Sequence, residues 1–389
     1  MRVLILMGGY WPGHEATGPN QSLRQMCQAM CGTHEFLVLA RDRPFGAAAP
    51  SAPSGSWIDQ GFAKVRYTPV SATGPRDLRQ VLRTTPSDVV WMNGFHDREF
   101  TLPTLLMRRL GLVPRAPAIL SARGELAVGA LGLKSPRKTA YQAVARGLRL
   151  LRDVWLHAAS EEEAADISAR APAARGVFLA RNVRRLVDPP LSRQLDAAPD
   201  DPLRIVVVGR IARVKNIDFA IRTLAHVKRA VALEIVGPVE ETDYWRSCQS
   251  LIAQLPPHVR VRLVGAIPNA EIPERVAAAD LFFSPTLGEN FGHAIFEALS
   301  CAVPALISNR TPWKGLEAKT AGWDLPLGDP RLFAERIDAL ARLPATERLK
   351  WRAGARRVAE RFVSGSDAVA ATARMLEAAV AGAGERRTA

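Results

Sequence analysis

At 389 residues the chain is too long for one ordinary core, and about 100–200 residues per domain divides it into two. Hydrophobic residues make up 48% and charged residues 23%, which excludes a disordered or collagen-like chain. The formal net charge of +14 asks for an anionic partner, and it is uneven: residues 1–188 carry 25 Lys/Arg against 15 Asp/Glu, a net of +10 that leaves +4 for the remainder.

Short β-branched runs alternate with longer amphipathic stretches, the pattern of βαβ units around a parallel sheet. Strands are predicted at Val3–Met7, Phe36–Ala40, Val89–Met92, Ala118–Ser121, Val154–Ala158 and Val177–Leu179, with helices at Gln21–Cys31, Phe100–Leu110, Arg137–Leu151 and Glu161–Arg170 between them. Residues 187–202, rich in Pro and Asp and without periodicity, read as a linker. The rhythm then restarts, with strands at Arg204–Val208, Leu233–Val236, Val261–Leu263, Leu281–Ser284 and Ala305–Ile307. Helices fall at Ile217–Val227, Asp243–Leu255, Ala270–Ala278 and His293–Leu299, and three more fill Asp329–Val380 before a tail, 381–389, expected to fray. The expected division is a first domain over 1–188, a linker over 189–202, a second domain over 203–363, and a last helix within 364–389 that packs back on the first domain. Two doubly wound sheets in tandem would face a central cleft.

Val3–Met7 is far too short for a signal peptide, and no run of about 18 consecutive apolar residues occurs, so a cytoplasmic protein is expected. Cys27, Cys31, Cys248 and Cys301 show no CxxC and no His at ligand spacing, which points to reduced thiols rather than zinc or a disulfide frame.

The segment Val206–Asn216, VVVGRIARVKN, puts Gly209, Arg210 and Lys215 on the loop leaving a buried strand, where an open α/β sheet binds its ligand. Two cations there suit a diphosphate and the charge that develops as it leaves, although an isolated Arg-x4-Lys reads more simply as solvated loop charge. The segment Ser284–Pro304, SPTLGENFGHAIFEALSCAVP, favours the first reading. Glu289 and Glu297 would sit about 80° apart and two turns along one helix, so they cannot form a carboxylate pair. Gly288 and Gly292 instead leave Glu289 in a loop, within reach of sugar hydroxyls, and start a helix that carries Glu297 toward a ribose diol. Gly292 and His293 would present backbone N–H groups to an anion, while the plain alternative for two Glu at a helix start is capping.

In the first half, His96 in NGFHD follows a strand and would face the cleft, oriented by Asp97, or else bond only to nearby backbone. Arg123 and Glu125 in ARGEL follow another strand, and would meet acceptor or donor, or pair with each other. The stretch Lys134–Arg152 interleaves Lys134, Arg137, Lys138, Arg146, Arg149 and Arg152 with Leu148, Leu150 and Leu151, which suits an anionic membrane surface or an ordinary solvated helix face.

GRIARVK, ENFGHAIFE with its Glu-x7-Glu spacing, and ALSCAVPALISNRTPW together resemble the retaining GT-B glycosyltransferases of family 4, glycosyl transferase group 1. Within that family the chain is most similar to enzymes of bacterial cell-surface polysaccharide synthesis, such as lipopolysaccharide or capsule. Ser121–Lys138 and His157–Ile167 are similar to that subgroup's segments in the same order, and the match runs from about Gly18 to Leu327. The resemblance implies two Rossmann-like domains and transfer of a sugar, with retention, from a nucleotide diphosphate donor to a glycan or lipid-linked acceptor. It assigns the donor diphosphate to Arg210 and Lys215, the transferred sugar to Glu289, the ribose to Glu297, and donor contacts to Gly209, Asn290, Phe291, Gly292 and His293. Gly18 stands where the family brings a glycine close to donor and acceptor, and His96 is a candidate beside the reacting sugar. Four places depart from the family pattern: Gly18-Pro19 replaces a glycine pair, Asn216 and Cys301 stand where Gly is frequent, and Leu179–Asn182 only loosely resembles a Pro-Asn-Gly turn.

No Asp-x-Asp occurs, so no metal or cofactor is expected; the nucleotide sugar is a substrate. The rival readings are a nucleotide-sugar epimerase or a non-catalytic sugar-nucleotide-binding protein on the same scaffold. Aromatics at 6% and no nucleic-acid motif leave charge as the sole argument for nucleic acid, which is set aside.

Overall fold

The computed structural model describes the chain except residues 11–17, 44–46, 72, 127–135, 172–173, 188–200 and 385–389. Most of the expected linker, Lys134 and the end of the tail thus lie outside the described residues, as do the side chains of Arg137 and Lys138. Two compact units result, Met1–Arg184 with Ser366–Ala389, and Arg185–Gly365.

The first unit is an eight-stranded sheet. Its strands are β1 (Arg2–Met7), β2 (Glu35–Arg41), β3 (Trp57–Asp59), β4 (Lys64–Thr68), β5 (Val89–Asn93), β6 (Ala118–Ser121), β7 (Val154–Ala158) and β8 (Gly176–Leu179). The order is β3-β4-β2-β1-β5-β6-β7-β8, parallel except for the edge strand β3. Helices α1 (Gly18–Met30), α2 (Gly74–Thr84), α3 (Thr101–Arg109), α4 (Pro136–Gly147) and α5 (Glu161–Arg170) connect the strands. Because strand residues alternate sides, the apolar run of β1 feeds two cores. Leu4 and Leu6 pack with Leu82, Leu105, Tyr141 and Ile167 on one face, and Val3 and Ile5 with Leu23, Met26, Met375 and Leu376 on the other.

The second unit has six parallel strands: β9 (Leu203–Val208), β10 (Val231–Val236), β11 (Val259–Gly265), β12 (Leu281–Ser284), β13 (Ala305–Ser308) and β14 (Gly322–Leu325), in the order β11-β10-β9-β12-β13-β14. Helices α6 (Ile217–Leu224), α7 (Thr242–Ile252) and α10 (Pro330–Arg342) bury Phe219, Tyr244 and Phe333 against one face. On the other face α8 (Ile272–Ala277), α9 (His293–Ser300) and α11 (Ala345–Ser364) bury Val276, Phe296 and Ala355. The last helix, α12 (Ala368–Gly384), returns to the first unit, and residues 381–384 are helical where fraying was expected. The helix expected to reach Leu151 stops at Gly147, with Arg149 in a left-handed conformation at φ 51.

Both sheets are doubly wound, the two Rossmann-like domains expected. In the first unit the strand order reverses between β1 and β5, and in the second between β9 and β12. Crevices at such reversals, outside the carboxyl ends of the strands, are where open α/β sheets take ligands.

Candidate functional site

The loops leaving β9 and β12 flank the reversal of the second sheet. Lys215 ends a short 3-10 turn, Arg213–Lys215, and Asn216 follows in the left-handed region at φ 57, ψ 42. Asn tolerates that conformation far better than most side chains, which explains how it replaces the family's frequent glycine. Its Nδ2 also donates to the Pro285 carbonyl at 2.9 Å, and the Val214 carbonyl accepts from Thr286 Oγ1 at 3.0 Å and from the Leu287 amide at 2.8 Å. These three bonds fasten the β9 loop to the β12 loop. Lys215 Nζ consequently lies 2.5 Å from Glu289 Oε1, with both side chains largely shielded from solvent. The Glu289 amide is held in turn by the Arg310 carbonyl at 3.1 Å.

Glu289 is a loop residue, and α9 begins at His293 with Gly292 as its cap. Gly292 has φ 78, and a Cβ there would come within 2.8 Å of Ile295 Cδ1. Gly292 has no side chain to cap the helix, so the amino end of α9 directs its first amides toward the loop in front of it. The Phe291 ring is buried beside Trp313, Phe296 and Phe362, and its carbonyl accepts from Trp313 Nε1 at 2.6 Å. Asn290 and His293, on either side of that anchor, are part-exposed, as is Glu297 one turn into the helix. Cys301 has φ −77 and needs no glycine; the left-handed residue is Ala302 at φ 56.

Arg210 is placed differently. Gly209 and Gly237 bring the β9 and β10 loops so close that a Cβ on Gly237 would overlap the Gly209 carbonyl. Arg210 is exposed and ion-paired to Glu240 on the β10 loop, so Lys215, Glu289 and the start of α9 form the gathered group and Arg210 stands at its margin. An exposed pair of this kind exchanges easily with a stronger ligand.

At the carboxyl edge of the first sheet, the His96 amide and Nδ1 both meet Glu125 Oε2 at 2.8 Å. The expectation that Asp97 orients His96 is corrected here. Asp97 Oδ1 accepts from the amides of Glu99, Phe100 and Thr101 at the start of α3, and burial raises its carboxyl above the usual range. A carboxylate accepts only, so Nδ1 donates to Glu125, while Nε2 is shielded from solvent and has no hydrogen-bond partner among the described residues. Arg123 does not pair with Glu125 either. It donates to Asn93 Oδ1 at 2.6 and 3.1 Å and to Asn182 Oδ1 at 3.2 Å, and desolvation lowers its pKa. Gly94, Arg123 and Gly124 all have positive φ, a concentration of unusual backbone next to the His96–Glu125 contact. Gly18 is the first residue of α1, just after an undescribed stretch.

Sequence reasoning missed Glu240 as the partner of Arg210, and the bonds of Asn216 to Pro285 and of Thr286 to Val214, which depend on long-range placement. It also missed Glu163, whose carboxylate accepts from the amides of Gly124 at 2.6 Å and Ala159 at 2.7 Å and so supports the Arg123 turn. The run Glu161–Glu163 at a helix start was the available signal, since acidic residues favour that end.

Sequence and fold comparisons bear on this arrangement. The profile of the family "Glycosyl transferases group 1" matches residues 190–358, nearly the whole second unit. The chain is 28% identical over 162 residues to the putative colanic acid biosynthesis glycosyltransferase WcaL of Escherichia coli K12, a stretch that covers 39% of each protein. It is 43% identical over 51 residues, 13% of each protein, to the O-antigen chain mannosyltransferase B of Escherichia coli. Both matches span well under two thirds of the relatives' length. The fold is similar along almost its full length to Anabaena HepE crystallised with UDP-glucose, at a TM-score of 0.68 and 19% identity, covering 97% of this chain and 99% of that one. The part of the chain that is similar to the glycosyl transferases group 1 family is thus its second unit.

Proposed function

We propose that the protein is a retaining glycosyltransferase that moves a sugar from a nucleoside diphosphate to a hydroxyl of a glycan, free or lipid-linked, in the building of bacterial cell-surface polysaccharide. The observation that carries this reading is the Lys215–Glu289 contact in front of the amino end of α9, at the reversal of the second sheet. A diphosphate there takes up the Lys215 ammonium and the α9 amides, and Arg210 swings from Glu240 to its outer oxygens. Glu289, released from Lys215, accepts hydrogen bonds from the transferred sugar, Asn290, Phe291, Gly292 and His293 line the donor, and Glu297 takes the ribose diol.

In the step itself the bond between the anomeric carbon and the diphosphate oxygen breaks, and a bond to the acceptor oxygen forms on the same face. The acceptor proton passes to the departing phosphate, so no protein nucleophile is needed, and the protein's part is position and charge. Among the described residues no group of three or more His, Cys, Asp or Glu stands ready for a metal, and the reading includes none. On the first unit His96, bonded to Glu125, and Arg123, bonded to Asn93 and Asn182, serve the acceptor. The relatives are named for colanic acid and O-antigen synthesis, which supports a glycan acceptor; the reading puts its transfer at the inner face of the cell membrane.

The test is release of nucleoside diphosphate from UDP-, GDP- and ADP-sugars with and without glycan acceptors. Release that depends on acceptor is expected. Conversion of the nucleotide sugar alone, as an epimerase would give, overturns the reading.

A further inference from the structure

The first sheet has a second edge that the proposed chemistry leaves unused. At the amino ends of β5 and β6, opposite the edge that carries His96 and Glu125, the loop from α2 to β5 and the loop from α3 to β6 enclose a cavity of about 210 Å³. Among the described residues no Asp or Glu lines it, and its polar lining includes Arg83, Ser87, Thr104 and Arg108.

Arg108 is the unusual member. Only 7% exposed, it sits one helical turn after Thr104, on the same face of α3. Its Nη1 donates to the Ala116 carbonyl at 2.6 Å, and among the described residues the guanidinium has no other hydrogen bond and no carboxylate in ion-pairing contact. Burial pushes its pKa down to about 10, against the pull of Asp153, which leaves it a cation at neutral pH. A buried charge is ordinarily paired, because an uncompensated one is costly. Thr104 repeats the pattern: it is fully buried and its hydroxyl has no partner, although a helical threonine has the carbonyl one turn back within reach. Basic side chains in a last helical turn complement the carbonyl end, which accounts for exposed Arg83 and Arg109. It does not account for an arginine buried with most of its N–H groups unused.

We propose that this cavity binds a phosphate group, carried by inorganic phosphate or by a small phosphomonoester, with Arg108 and Thr104 as its inner ligands and exposed Arg83 at the rim. The donors come from three segments: Arg83 in the last turn of α2, Ser87 on the following loop, and Thr104 with Arg108 on α3. A tetrahedral oxyanion meets all three at once and still takes the guanidinium through a paired contact, which a planar carboxylate does not. The volume holds several waters yet falls short of a drug-sized pocket, which suits the ion or a small ester and not a nucleotide sugar. The proposal stands apart from the donor reading, whose residues lie on the second sheet.

The experiment is calorimetric titration of inorganic phosphate and of glycerol 3-phosphate into the full chain at constant ionic strength. It is run in the Lys215→Ala background, which disables the donor diphosphate site, and saturable binding of one equivalent is expected to persist there. The tighter of the two probes identifies the carrier of the group. Adding Arg108→Gln weakens that binding by at least about tenfold, Thr104→Val by about fivefold and Arg83→Gln by about threefold. Thr104→Val keeps the shape of the side chain and Arg83 is exposed, so these two keep the background melting temperature and carry the test if Arg108→Gln does not fold. Absence of phosphate binding in Lys215→Ala overturns the proposal, because any binding by the wild type then belongs to the donor site. So does an affinity that all three cavity substitutions leave unchanged. A chain that binds no nucleoside diphosphate but keeps this site fails the donor reading alone.

Discussion

Among the described residues the Glu289 carboxylate is bonded to Lys215, and the proposed chemistry requires it to change partners. Glu289→Gln keeps the shape and loses the charge; it is expected to lower kcat/KM by about 100-fold, on the scale of losing one preorganised group, with unchanged turnover removing Glu289 from the sugar site. Gly292→Ala tests the backbone beside it. The added methyl meets Ile295 and fixes a left-handed φ that alanine resists, so denaturant unfolding should show a loss of about 1–2 kcal/mol. Much of this neighbourhood is legible in the residues themselves. The Glu-x7-Glu spacing, with Gly288 before it and Gly292 within it, places Glu289 in the loop and Glu297 on the helix, as the structure has it. Asn216 reads as a plain departure from a frequent glycine until φ 57 gives its reason, and the Arg210–Glu240 pair carries no local signal because 30 residues separate its members.

Among the elements, the buried strands with uninterrupted apolar runs are the legible ones. β6, β7 and β12 lie where their apolar runs put them, because a strand buried on both faces leaves a continuous signature. β3, β4, α2 and β14 escape the sequence reading. Lys64–Thr68 alternates charge with apolar residues one strand in from the edge, Trp57–Asp59 is three residues long, and Gly322–Leu325 has an Asp within its apolar run. The strands of the first unit are also cross-linked by polar side chains. Trp91 Nε1 on β5 donates to Ser121 Oγ on β6 at 2.8 Å, Ser121 meets His157 Nδ1 on β7 at 2.7 Å, and His157 Nε2 donates to the Ala180 carbonyl at 2.8 Å. Burial, and then the nearby Arg123 charge, push the His157 pKa down to about 4. Above an unfolded value of about 6.5 both states hold neutral imidazole and this group gives no pH dependence. Between about 6.5 and 4 only the unfolded chain takes up the proton, so stability falls as pH falls, by up to about 3 kcal/mol from this residue. Urea unfolding at stepped pH should show that slope in the wild type and a flatter one in His157→Gln; equal slopes would contradict the neutral, buried assignment.

At the scale of the whole molecule, a doubly wound sheet in each unit sets one reversal for each, and the candidate residues gather at both. The catalytic reading rests on fixed cations and helix amides without a metal clamp, so turnover is expected to persist in excess EDTA, and strict dependence on Mn²⁺ or Mg²⁺ would count against it. The most direct test of the diphosphate site is calorimetric titration of UDP, GDP and ADP into the wild type and into Lys215→Ala. One of the three should bind the wild type and lose at least about tenfold in affinity in the variant, the scale of one charge-assisted hydrogen bond. Equal affinity in the two proteins would contradict the account.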